Sequence, residues 1–89
     1  MEMINEFVGI SERQTINYNR DIVVRDLNEH DTIVVKCYCT IVAGQSISYY
    51  MDIVDKALFE KAYNTIQLEV AKFKTQAEEI ARTNNVPII

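Results

Sequence analysis

At 89 residues, 48% hydrophobic and 25% charged, the chain has room for one domain and lies far from the composition of a disordered segment. A formal charge of −4 with nine Lys and Arg disfavours a partner held through its phosphates, because such binding needs clustered cations, so direct nucleic-acid contact is not expected. Apolar runs such as Ile33-Val34-Val35 fall far short of the roughly 20 residues a membrane helix requires, and the start Met-Glu-Met-Ile-Asn-Glu has neither the basic end nor the apolar core of a secretory signal.

Residues 1–8 carry Met3, Ile4, Phe7 and Val8 in an order that suits a helical turn or an edge strand equally, and residues 1–9 are left unassigned. Residues 15–19, with Ile16 and Tyr18 on one side, read as a first short strand that ends in a turn at Asn19-Arg20-Asp21. Residues 22–27 form a second β-rich run, closed by the polar turn Asn28-Glu29-His30-Asp31. Residues 32–42 then alternate, with Ile33, Val35, Cys37, Cys39 and Ile41 on one side and Lys36, Tyr38 and Thr40 on the other. Ala43-Gly44-Gln45 reads as a hairpin turn, and beyond it Ile47, Tyr49, Met51 and Ile53 alternate with Ser46, Ser48, Tyr50 and Asp52. Pairing Ile41 with Ile47, Cys39 with Tyr49, Cys37 with Met51 and Val35 with Ile53 puts these apolar side chains on one face, whereas a slip by one residue buries Lys36.

Over residues 55–83 the period changes. Phe59, Ala62, Tyr63, Ile66, Val70, Phe73, Ala77, Ile80 and Ala81 recur at steps of three and four, the stripe of an amphipathic helix. Asp55 is placed to cap its first amides, Val54 to staple against Phe59, and Asn84, Asn85 and Pro87 to stop it. The expected fold is therefore α+β within one domain spanning residues 1–89. It comprises an antiparallel meander of three to four strands (10–54), one long C-terminal amphipathic helix packed on one face (55–83) and a tail (84–89).

Candidate chemistry is sparse. Cys37 and Cys39 sit one residue apart, so in a strand they face the same way at about 6 to 7 Å, too far for a disulfide. A zinc site needs about four ligands and only one histidine, His30, is present, so both cysteines read as core. The acidic turn around His30 lacks the glycine and glutamate of a calcium loop, having Asp31 and Cys37 at those positions, and reads as a solvated turn. With glycine only at positions 9 and 44 there is no phosphate-binding loop, and no hydroxyl or thiol stands in a nucleophile motif. No catalytic, cofactor-binding or metal-ligating residue is assigned, and the chain is not expected to be an enzyme.

Two features point to an interaction surface. Leu68 projects from the polar side of the helix, among Lys61, Lys72 and Thr75. A helix over residues 55–83 is also roughly 43 Å long, against about 30 Å for strands of eight or nine residues. It should overhang its sheet while its stripe continues through Phe73, Ala77, Ile80 and Ala81. Those four and Leu68 are the candidate interaction residues, the simplest partner being a second copy in a homodimer; the alternative is that residues 3–8 fold back as cover.

The segment 46–70, SISYYMDIVDKALFEKAYNTIQLEV, resembles the strand, Asp cap and Leu-Phe helix start of small uncharacterised proteins of Gram-positive phages and prophages. The resemblance covers the C-terminal half and implies a phage or prophage origin, with work in the host cytoplasm or in the virion. No catalytic residue is carried over by it. The expected function is non-enzymatic, through self-association or a host or virion protein. The alternative is an acidic inhibitor of a host nuclease or nucleic-acid-binding enzyme, presenting Asp26, Glu29, Asp31 and helix carboxylates in place of phosphates.

Overall fold

The computed structural model describes residues 9 and 12–88, so the alternatives for residues 1–8 lie outside the described residues. Strands β1 (Thr15–Arg25), β2 (Asp31–Val42) and β3 (Ser46–Ile53) form an antiparallel meander in that order, followed by a short helix, α1 (Lys56–Lys61), and a long one, α2 (Tyr63–Thr83). This is the α+β arrangement expected from the sequence, with three strands. The β2–β3 register is also the expected one, matching Val35 with Ile53, Cys37 with Met51, Cys39 with Tyr49 and Ile41 with Ile47.

The N-terminal half departs from expectation in two ways. First, the turn at Asn19-Arg20-Asp21 is absent, and β1 runs through it as a single strand of 11 residues. Arg20 falls in phase with Ile16, Tyr18 and Ile22, and its guanidinium donates to the Tyr18 hydroxyl at 3.1 Å and to Gln76 Oε1 on α2. Its stem lies along the apolar face while its charge finds acceptors, so the polar triplet does not break the strand. Second, the β1–β2 register shifts beyond Ile22, where Ile22 pairs with Val35 but Val23 pairs with Ile33. Val34 is the extra residue of a bulge, and such an insertion reverses the alternation beyond it. Val34 is therefore in the core, and Ile33 moves to the face opposite Val35, correcting the alternation read from the sequence.

The bulge also launches the helices. The Val34 carbonyl accepts from the backbone N–H of Val54 at 2.8 Å and of Asp55 at 3.3 Å. Asp55 then caps α1, its Oδ1 accepting from the N–H of Leu58 at 3.0 Å. In place of one straight helix there is a break at Ala62, with φ −112° and ψ 30°. The Ala62 N–H still reaches the Leu58 carbonyl and the Ile66 N–H reaches that of Ala62, so the path kinks without losing its ladder. α1 packs against β2, whereas α2 crosses all three strands.

At the far end Asn85 takes the left-handed conformation (φ 63°). The Val86 N–H donates to the Ala81 carbonyl at 2.9 Å and that of Asn85 to Arg82 at 3.1 Å, the paired bonds of a Schellman cap. Val86 consequently folds back under the helix and is buried, and the Asn84 carbonyl accepts from Gly44 in the β2–β3 turn. Gly44 itself needs φ 74°, a conformation that disfavours any side chain.

One cluster joins these elements: Ile22, Val34, Val35, Cys37, Cys39 and Ile41 from the sheet, Ile66, Phe73, Ala77 and Ala81 from α2, and Val86. Phe73 is its centre, stacked on Tyr18 at 5.3 Å and edge-on to Tyr49 at 6.3 Å. The uncovered stripe expected of an overhanging helix is not found, since Phe73, Ala77 and Ala81 are buried in this cluster. The 21 residues of α2 span about 31 Å. The 11 and 12 residues of β1 and β2 reach about 36 to 40 Å, because β1 is continuous and the kink at Ala62 shortens the straight helix.

Candidate interaction surface

The interaction residues singled out in the sequence separate into two groups. Phe73, Ala77 and Ala81 have no exposed surface, and Ile80 is half-buried against the same core. Their stripe is covered by the chain's own sheet and by Val86, so Phe73, Ala77 and Ala81 hold the fold together and are not free to meet a partner, while Ile80 keeps part of its surface exposed. Leu68, by contrast, is 65% exposed. It borders a shallow groove of about 480 Å³ on the outer side of α2, shared with Ala71, Lys72, Thr75, Gln76 and Glu79.

A second apolar surface, not singled out in the sequence, lies on and beside β3. β2 and β3 place Tyr38 opposite Tyr50 on the face turned away from the helix, with ring centroids 5.8 Å apart. Tyr50 is 63% exposed, and the chain continues into Ile53 and Val54, both substantially uncovered. The signal was present in the alternation, since both tyrosines fall on its polar phase and the expected register sets them opposite. Val23 lies on the same outer face by the unbroken alternation of β1, and the bulge in β2 brings Ile33 opposite it.

On the helix side of β3 a cavity of about 390 Å³ is lined by Gln45, Ser46, Ile47, Tyr49, Glu78, Pro87 and Ile88. The Tyr49 hydroxyl is buried without a hydrogen-bond partner there. Burial, reinforced by the nearby Glu78 carboxylate, pushes its pKa up. Both cysteine thiols are free, 1% exposed and also pushed above the ordinary thiol value, chiefly by burial. Such thiols are poor nucleophiles, since the thiolate is the reactive form.

The acidic turn is held internally. Asp26 Oδ1 accepts from the backbone N–H groups of Asn28 and His30 at 2.8 and 2.9 Å. Asp31 pairs with Arg25 at 2.8 Å, and that guanidinium holds its carboxyl below the usual range. Glu29 adopts φ 62° and is exposed, as is His30. Among the described residues no three of His, Cys, Asp and Glu come together to hold a metal ion, and no helix is long and apolar enough to cross a membrane.

No protein-family model matches the chain, and neither a curated protein nor a solved structure is significantly similar to it.

Proposed function

We propose that this chain is a non-enzymatic interaction protein that self-associates, of phage or prophage origin, working in the host cytoplasm or within the virion. The observation that carries this reading is the set of large apolar side chains left uncovered outside a well-filled core. Leu68 stands on α2, and Tyr50, Ile53 and Val54 stand on and beside β3. Single exposed apolar residues are ordinary, but Tyr50, Ile53 and Val54 lie within five consecutive positions of one strand and its exit. The alternative reading as an acidic inhibitor gains little support, because Asp26 and Asp31 are already engaged by their own turn and by Arg25.

The test is sedimentation velocity across a dilution series from about 1 to 100 μM, a window matched to a Kd near 1 μM, or about −8 kcal/mol. A sedimentation coefficient that rises with concentration supports self-association. A monomer throughout, combined with recovery of a host nuclease from a lysate by the tagged chain, would transfer the case to the inhibitor reading.

A further inference from the structure

β3 is the last strand of the sheet and has one neighbour, β2, among the described residues. No backbone hydrogen bond from the described turns, tail or helices reaches its outer edge. An unpaired edge is a template for another strand unless it is blunted by lysine, proline, a bulge or a covering element. β3, with the sequence SISYYMDI, has no lysine or proline, and its register with β2 is regular along its whole length. β1, the other edge, carries Arg20, Asp21 and Arg25 and borders the bulge at Val34.

We infer that β3 pairs antiparallel with β3 of a second copy about a two-fold axis at Tyr50, joining two three-stranded sheets into one of six. This rests on the proposed self-association and names its surface. The sequence of β3 is self-complementary about that axis: Tyr50 meets Tyr50, Tyr49 meets Met51, Ser48 meets Asp52 and Ile47 meets Ile53. Asp52, the only charge on the strand, thus faces a hydroxyl and not its own copy. An isologous interface requires this kind of self-complementarity.

The neighbouring registers fit less well. A two-fold at Tyr49 leaves Ile53, which is 40% exposed, beyond the end of the paired strand, and one at Met51 opposes Asp52 to Tyr50 while leaving Ile47 without a partner. In the Tyr50 register both faces are completed. On the outer face the Tyr38–Tyr50 pair becomes a row of four rings, two from each copy. On the helix side, Ile53 of the second copy arrives opposite Ile47 at the mouth of the cavity shared with Tyr49, Pro87 and Ile88. The cavity then has an occupant, and so does the exposed end of the strand.

The experiment is sedimentation velocity of the full chain with three variants, each checked for native circular dichroism. Tyr50 is mostly exposed, so Tyr50→Lys and Tyr50→Glu should leave the monomer folded. Each alone sets two like charges against one another across the axis and should weaken dimerisation at least tenfold. An equimolar mixture of the two should restore it. Ser48→Lys places an ammonium opposite Asp52 of the second copy twice per dimer and should tighten association several-fold. If both Tyr50 variants dimerise like wild type, or the mixture fails to recover, the edge pairing is refuted while self-association through another surface such as Leu68 survives. If Ser48→Lys weakens the dimer, the Tyr50 register is refuted. A wild-type chain that stays monomeric overturns both this inference and the reading on which it rests.

Discussion

Truncating Phe73 to alanine separates two accounts of the C-terminal helical stripe. Phe73 has no exposed surface and fills the space between Tyr18, 5.3 Å away, and Tyr49, 6.3 Å away. Removing a buried phenylalanine costs about 3 to 5 kcal/mol, and the loss of two aromatic neighbours places this site in the upper part of that range. The whole domain is expected to have about 4 to 13 kcal/mol, from 89 residues at about 0.05 to 0.15 kcal/mol each. Phe73→Ala therefore removes a third or more of the stability, and with an m-value of about 1 to 1.5 kcal/mol per molar urea the midpoint falls by roughly 3 M. The gentler Phe73→Leu should lose about 1.5 kcal/mol. The assay is urea denaturation followed by circular dichroism at a concentration low enough to leave the chain monomeric. If Phe73 belonged to an interface, as an overhanging helix would require, the monomer's midpoint would barely move and only association would suffer. A loss below about 1 kcal/mol under these conditions would refute its place at the centre of the core.

The bulge predicts an asymmetry between neighbours: Val34→Ser should cost about 2 kcal/mol or more, whereas Ile33→Ser, on the outer face, should cost under about 1 kcal/mol, and equal losses in urea melts would argue against the register shift. Asp55→Ala removes the acceptor for the Leu58 amide and should lower stability by about 1 kcal/mol, with Asp55→Asn retaining most of it, as read from thermal unfolding. Burial raises both cysteine pKa values in the folded chain, so the unfolded thiols, near pH 8.5, ionise first and draw the equilibrium towards unfolding. This contribution to stability is therefore complete below about pH 8 and declines as pH rises through the raised folded values; urea midpoints from pH 7 to pH 10 should fall, and replacing both cysteines with alanine should flatten that decline. Leu68→Glu changes an exposed position and should alter the unfolding free energy from urea melts by less than about 0.5 kcal/mol, so any larger effect would show that the groove on α2 is covered within the chain.

What the sequence determined by itself is local and periodic. The alternation of residues 35–53 admits a single β2–β3 register that keeps Lys36 out of the core, because side chains repeat every two residues and a one-place slip exchanges the faces. The start of α1 and the end of α2 were legible for a similar reason, since Asp55 and Asn85 act on backbone groups within a few positions of themselves, whereas the break at Ala62 was not. Within the candidate surface, Leu68 was legible as an apolar residue on a polar helix face, and Tyr50 as one on the polar phase of its strand. Three matters depended on partners distant in the chain. Arg20 lies in a strand because Gln76, on a helix 56 residues away, accepts its hydrogen bond; taken alone, Asn-Arg-Asp has the composition of a turn. Val34 becomes a bulge because its carbonyl serves the N–H groups of Val54 and Asp55 as well, a demand from outside the strand that periodicity does not register. The stripe from Phe73 to Ala81 is core and not interface because β1 is long enough to lie beneath it and Val86 folds back under its end. A helical stripe states only that something apolar covers it, and the tertiary structure decides that the cover is the chain itself.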